Sequence, residues 1–231
     1  MIDQLLRDRD TILARITSGK DLAATMKVMV ATIAVCMAIV GAALGSYRGG
    51  VQIGYAAIKL PLVLLGTAAL AAPALTAIGA AAGRPARLAG DLVLVVTALA
   101  FGALLLTACT PLLLLCIAME RDYHDMILVT VALFSLAGLA SLRMIVIGVR
   151  MQVSERGGTS AVIGLCMVFA LVGGQLSWAL RPYLVRPRTP EVVFVREAEG
   201  SLFDAITTTF ESARGHFERD EAPVPNAEHY R

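Results

Sequence analysis

The sequence predicts an all-α fold, a polytopic membrane helix bundle with about five transmembrane helices and amphipathic terminal segments. Two observations predict this class. The 231 residues are 57% hydrophobic and 16% charged, with a mean hydropathy of +0.73, whereas an ordinary soluble domain is about half apolar and a quarter charged. The charge is also uneven, because residues 28–180 carry only eight basic and five acidic side chains.

Five apolar segments follow one another along the chain. A hydrocarbon core about 30 Å thick needs around 20 helical residues, and backbone groups inside it are satisfied only in helices or closed barrels. We therefore expect an amphipathic segment at 1–23, a transmembrane bundle at 24–180, and an extended segment with an amphipathic helix at 181–231. The predicted spans are about 24–45, 60–83, 89–119, 126–149 and 159–180.

Three prolines refine the second and third spans. Pro61 predicts a helix start, where its missing N–H costs nothing. Pro73 predicts a kink in the middle of the second span, and Pro111 predicts a kinked third helix that projects partly beyond the bilayer. An extra hairpin hidden in 46–83 or 89–119 stays open.

Both ends of the chain show amphipathic helical patterns. The N-terminal pattern fits either an interfacial helix or a helix packed on the protein's own loops, because its charges are mixed. The C-terminal pattern has net acidic character around Glu211 and Glu218, so it suits a protein surface better than an anionic lipid surface. The N-terminal apolar residues are Ile2, Leu5, Leu6, Ile12, Leu13 and Ile16, and the C-terminal ones predicted to dock a partner are Leu202, Ile206, Phe210 and Phe217.

A few polar residues near or within the spans are candidates for a polar membrane pocket. The alternative for Lys59 is a snorkelling interfacial lysine, and the alternative for Asp91 is a carboxylate that suits the start of a helix. The two are expected on opposite sides of the membrane, so we give their pairing little weight. At the end of the last span, Gln175 and Arg181 are the candidate pocket residues, while Trp178 is typical of an interfacial anchor.

Glycines spaced by four residues form two predicted packing ridges. Gly41, Gly45 and Gly49 form the first, and Gly79 and Gly83 form the second. Small residues at this spacing let helices approach closely. We expect this packing within the subunit rather than in a dimer.

The sequence contains none of the common catalytic or nucleotide-binding motifs. There is no Gly-x-Ser-x-Gly, His-Glu-x-x-His, P-loop or dinucleotide fingerprint, so we predict no catalytic residue and no enzyme. The four cysteines form no Cys-x-x-Cys pair, and we predict neither a metal nor a cofactor. A net charge of +2 gives no footprint for nucleic acid.

Two strings carry family resemblances. The string from Gln175 to Tyr183 (Gln-Leu-Ser-Trp-Ala-Leu-Arg-Pro-Tyr) resembles a Gln-x-x-Trp-x-Leu-Arg-Pro-aromatic motif that ends the last span in a set of bacterial multi-pass membrane proteins. The string from Gly54 to Leu62, with the five-span count, is similar to the Yip-domain type. Neither resemblance implies a known chemistry, although the Yip-domain type implies membrane organisation and partner binding.

We therefore expect a non-enzymatic, multi-pass protein of a bacterial inner membrane. The leading hypothesis is a scaffold or subunit that binds a protein partner of unknown identity, with homo-oligomers left open. The alternative is a transporter or channel subunit for a small or lipophilic molecule. The positive-inside rule places ten basic residues inside and seven outside when the N-terminus is cytoplasmic, so we expect that orientation.

Overall fold

The computed structural model describes residues 1–81, 83–152, 158–180 and 194, and every regular element in this part is an α-helix. The predicted all-α membrane bundle is therefore confirmed. The helices are α1 (Ile2–Arg7), α2 (Arg9–Thr17), α3 (Leu22–Ser46), α4 (Val51–Ala81), α5 (Leu88–Ala118), α6 (Tyr123–Arg150) and α7 (Gly158–Ala179).

Four of these helices, α3 to α6, are long and apolar enough to cross a membrane. In α7 the apolar stretch found among the described residues is shorter, Cys166–Ser177. The membrane class is thus supported by several helices, and the fifth crossing stays a prediction.

The predicted start of the second span at Pro61 is wrong. Helix α4 begins at Val51 and continues through Pro61 and Pro73. Its first turns are stabilised by close packing on α3, because a Cβ added at Gly41 or Gly45 would overlap the α4 backbone between residues 52 and 57. This packing outweighs the hydrogen bond lost at an internal proline, a loss of about 3 kcal/mol.

The open question of a hidden hairpin is also answered. Both α4 and α5 are single helices of 31 residues, and α5 continues through Pro111. At 1.5 Å per residue each is about 46 Å long, so each extends beyond a hydrocarbon core of about 30 Å. The kinks predicted at Pro73 and Pro111 stay predictions.

Helices α3, α4 and α5 pack on one another and form the centre of the bundle. Helix α6 packs on α5, and α7 packs on α4, but few contacts join α6 to α7. The bundle is therefore closely packed on the side of α3 and open between α6 and α7. Its buried hydrophobic core includes Met29, Ile33, Met37, Val40, Leu44, Leu75, Leu94, Val95, Ala98 and Leu113.

The N-terminal amphipathic segment forms two short helices that pack on the bundle. They are separated at Asp8, whose carboxylate caps α2 by accepting hydrogen bonds from the Thr11 N–H (3.3 Å) and hydroxyl (2.6 Å). Leu13 lies beside Gly148 of α6. The surface that receives these helices belongs to α5 and α6 rather than to loops, which differs from the predicted packing on loops, and contact with the membrane interface stays a prediction.

The predicted apolar face of this segment is only partly buried. Leu5, Ile12, Leu13 and Ile16 are buried, whereas Ile2 and Leu6 are 42% and 46% exposed. The break at Asp8 changes the direction of the chain, so a single helical face does not continue across it.

The two glycine ridges have different outcomes. Gly41 and Gly45 pack within the subunit as predicted. Gly49 and Gly83 lie in turns with positive φ of 83° and 84°, a conformation that glycine adopts without strain, so their assignment to helix packing is wrong. A Cβ at Gly79 would overlap the guanidinium of Arg84 rather than another helix.

Candidate functional site

A mainly apolar cavity of about 410 Å³ lies between the α4–α7 pair and the α5–α6 pair. Leu44, Val63 and Phe134 are among its apolar walls. The hydroxyl-bearing residues Thr67, Thr130 and Ser177 also line it. The cavity thus joins residues of α3, α4, α6 and α7 that are far apart in sequence.

Small residues set the two helix pairs that flank this cavity. Leu176 of α7 lies so close to Gly66 of α4 that an added Cβ would come within 2.7 Å of it, and Gly173 lies beside Thr67. On the other side, Gly102 of α5 packs against Ser141 of α6. The outer helices α6 and α7 thus pack on different inner helices, and few contacts join them to each other.

The cavity can hold a molecule that is largely apolar and carries a small polar group. Its volume lies within the range of about 300 to 1,000 Å³ that is typical of small-molecule sites. The Thr130 hydroxyl donates a 2.7 Å hydrogen bond to the Met126 carbonyl. Its oxygen keeps lone pairs that accept a hydrogen bond from a ligand.

A cluster of polar side chains lies at the C-terminal end of α4, near the connection to α5. The guanidinium of Arg84 donates to the Asp91 carboxylate at 2.6 Å, and both side chains are almost fully buried. The Thr76 hydroxyl donates to the same carboxylate oxygen at 2.7 Å, and Arg84 also donates to the Gln152 side chain at 3.3 Å. The cluster therefore links α4, α5 and the segment after α6.

The buried Arg84–Asp91 pair has a role in stabilising the fold. Breaking a buried ion pair by removing one partner costs about 3–5 kcal/mol, so the pair holds the α4–α5 connection in place. Asp91 is in the first turn of α5, as predicted. Arg84 was not among the candidate residues predicted from the sequence, although an arginine and a carboxylate flanking a short connection were the available signal.

Lys59 is fully buried, so its interpretation as a snorkelling lysine is wrong. Its ammonium lies 5.0 Å from the centre of the Phe194 ring, a cation–π distance. Tyr55 packs edge-on against the same ring at 5.1 Å. Because α4 begins at Val51, Lys59 is two turns inside the helix and is covered by neighbouring groups.

Lys59 and Asp91 do not pair, as their expected positions predicted. Asp91 bonds to Thr76, which lies 17 residues after Lys59 in the same helix. That separation is about 25 Å along the helix axis. The two predicted polar residues therefore belong to clusters at different ends of α4.

The residues predicted at the end of the last span are only partly described. Gln175 is half-buried and lines a shallow groove with Leu70 and Leu171. The side chain of Trp178 and all of Arg181 lie outside the described residues. A polar pocket formed by Gln175 and Arg181 stays a prediction.

The predicted docking face also stays a prediction. Its residues Leu202, Ile206, Phe210 and Phe217 lie outside the described part of the chain.

Among the residues that the structure does describe, no group of three or more His, Cys, Asp or Glu side chains is placed to hold a metal ion.

Comparisons with known proteins add no relative. No protein-family model matches the chain, no curated protein matches it, and no solved structure matches it. The resemblances to the Yip-domain type and to bacterial proteins with the Gln-x-x-Trp-x-Leu-Arg-Pro-aromatic motif therefore stay predictions.

Proposed function

We propose that this chain is an integral membrane protein that binds a small lipophilic molecule, as a transporter or a transporter subunit. The observation that carries the proposal is the cavity of about 410 Å³ between α4–α7 and α5–α6. Among the two functions expected from the sequence, this one has support among the described residues, because the predicted docking face lies outside them.

Three features of the cavity favour a lipophilic ligand. Its walls are mainly aliphatic and aromatic, so an apolar body loses no hydrogen bond on entering it. The hydroxyls of Thr67, Thr130 and Ser177 offer a few polar contacts for orientation. Few contacts join α6 to α7, and we propose that a ligand dissolved in the bilayer enters between these helices.

Photolabelling of the reconstituted full chain tests the proposal. The probe is a diazirine-bearing long-chain alcohol incorporated in phosphatidylcholine vesicles. We expect labelling on the α4 and α7 segments that line the cavity, and an excess of unlabelled alcohol should compete with it. Labelling spread evenly over the lipid-exposed helices would show that the cavity is not a binding site.

A substitution that fills the cavity can be compared with a matched substitution outside it. Val63 is 8% exposed and lines the cavity, whereas Leu70 on the same helix is 59% exposed. Val63→Trp should reduce competed labelling at least tenfold, equivalent to about 1.4 kcal/mol of binding free energy, while Leu70→Trp should leave it unchanged. Equal effects of the two variants would count against the site.

Transport requires a separate measurement. Vesicles loaded with a fluorescent fatty alcohol should exchange it faster with acceptor vesicles when they contain the chain, and Val63→Trp should remove the increase. Binding without accelerated exchange would limit the function to a binding subunit.

The alternative scaffold function rests on the predicted amphipathic tail and is tested separately. Deleting 200–231 from the tagged full chain should remove a co-purifying protein if the tail docks a partner. An unchanged set of co-purifying proteins would rule out docking by the tail.

We also propose that the protein lies in a bacterial inner membrane with a cytoplasmic N-terminus, which the distribution of basic residues supports. Single cysteines at Ser18 and Ser212, in a background without the four native cysteines, test the topology in intact cells. Labelling from opposite sides is expected for five spans. Labelling from one side would mean an even number of crossings.

A further inference from the structure

We propose that a second cavity, between the N-terminal helices and α6, binds the phosphate headgroup of an anionic phospholipid. This cavity has a volume of about 330 Å³ and is separate from the one between α6 and α7. Three arginines line it, Arg7 and Arg9 from the N-terminal helices and Arg143 from α6. Guanidinium groups bind phosphate oxygens with paired, charge-assisted hydrogen bonds.

Two of the three arginines keep their charge available for a ligand. Arg7 pairs with Asp3 at 2.7 Å. The guanidinium carbon of Arg9 lies 4.4 Å from the centre of the Phe101 ring, a cation–π distance, and Arg9 is exposed. In the part of the chain that the structure describes, neither Arg9 nor Arg143 forms an ion pair, and Asp10 is the one carboxylate that lines the cavity.

Apolar residues line the cavity together with the arginines. Leu6 and Ile147 are partly exposed there, and the buried residues Leu13 and Met144 line it too. Guanidinium groups beside apolar side chains match a ligand with an anionic head and an apolar body. A free inorganic anion would gain nothing from the apolar side chains.

The position of Arg143 explains why the occupant is a membrane lipid. Arg143 lies seven residues before the end of α6 at Arg150, about 10 Å along the helix axis. Leu139 and Ile147, one turn away on either side, are exposed apolar residues. An exposed arginine among such residues is costly in a bilayer unless an anion or water reaches it, and a headgroup drawn into the cavity supplies that anion.

Binding of lipid to the purified full chain tests the proposal. The probe is phosphatidylglycerol, titrated into the protein in nanodiscs of phosphatidylcholine and read by retained lipid in native mass spectrometry. Losing a hydrogen bond to a charged group weakens binding by about tenfold or more. We expect Arg143→Gln to weaken retention about tenfold, and Arg9→Gln with Arg143→Gln to weaken it about 100-fold.

Arg150→Gln is the matched control, because it removes the same charge from the exposed end of the same helix and does not line the cavity. It should leave retention within twofold of the wild type. An equal loss in Arg150→Gln and Arg143→Gln would overturn the site in favour of general attraction between charges.

Two further outcomes are decisive. If inorganic phosphate displaces the lipid at similar concentration, the cavity is a free-anion site and the lipid proposal fails. If Arg9→Gln does not fold because of its contact with Phe101, Arg143→Gln alone carries the test, since Arg143 is exposed. Arg143→Lys, which keeps the charge, should restore part of the retention.

Discussion

Helices α5 and α6 are both apolar enough to cross a membrane, but they pack in opposite ways. In the most apolar window of α5, 61% of the residues are buried, whereas the figure for α6 is 17%. Helix α5 is surrounded by α3, α4 and α6, while α6 presents Leu128, Leu136 and Leu139 at its surface. Hydropathy therefore identifies a membrane helix without telling whether its surroundings are protein or lipid.

Small residues distinguish the packed region from the open one. Gly41 and Gly45 let the backbones of α3 and α4 touch, whereas Gly138 of α6 has open space around it. Without a hydrophobic driving force between helices in lipid, close contact of this kind supplies much of the association energy. The closely packed part of the molecule is thus α3–α5, whereas the cavity lies where α6 and α7 make few contacts with each other.

The largest effect is expected at the buried ion pair that closes the packed region. Asp91→Ala leaves Arg84 charged and buried, so it should destabilise the protein by about 3–5 kcal/mol in unfolding titrations in mixed micelles. The control is Arg84→Met with Asp91→Leu, which removes both charges and should recover most of the loss. A wild-type stability in Asp91→Ala would mean that the carboxylate is not needed to stabilise the buried guanidinium of Arg84.

A pair of leucine truncations measures the contrast between the two regions directly. Leu94→Ala opens a cavity in the core and should cost about 2–5 kcal/mol. Leu139 is 66% exposed on α6, and Leu139→Ala should change stability by less than about 0.5 kcal/mol. Thermal unfolding in detergent compares them, and a large loss in Leu139→Ala would indicate that another protein surface covers α6.

The glycine contact predicts a somewhat smaller effect. Gly45→Ala places a methyl group against the backbone of Gln52 and Ile53, and should destabilise by about 1–3 kcal/mol through overpacking. Gly54→Ala is the matched control on α4, because its Cβ would meet nothing within 4 Å. That control should be neutral or more stable by up to about 1 kcal/mol. Equal loss in both variants would contradict the close α3–α4 contact.

The smallest effect on stability is expected inside the open region. Thr130→Val keeps the shape of the cavity wall and removes a hydroxyl bonded to the backbone within its own helix, so stability should change by less than about 0.5 kcal/mol. Binding of the alcohol probe should weaken while binding of an alkane probe of equal length does not. A loss of both would point to a collapsed cavity rather than a lost hydrogen bond.

The helices were predictable because the length of each apolar segment can be read directly from the local sequence. The predicted limits of the first, third and fourth spans agree with α3, α5 and α6 within about three residues. The start of α4 was not predictable, because Pro61 argues locally for a helix start. The interaction that overrides this local preference is the packing of α4 on Gly41 and Gly45, which belong to α3.

The candidate site was harder to predict for the same reason. Lys59 and Asp91 were found from their charge, but the partner of Asp91 is Arg84, whose burial depends on the turn at Gly83. The cavity residues Val63, Phe134 and Ser177 come from three helices and share no local pattern. Only the relative placement of the helices brings them together.

The packing of α1 and α2 on the bundle has a consequence for biosynthesis. The surface that receives Leu13 includes Gly148, so it is complete only after α6 has been translated and inserted. At about 5–20 residues per second, the 135 residues between them take roughly 7–27 s. During that interval the apolar face of the N-terminal helices needs another cover, such as the membrane surface or a chaperone, and the earliest part of the chain to be made reaches its native position late.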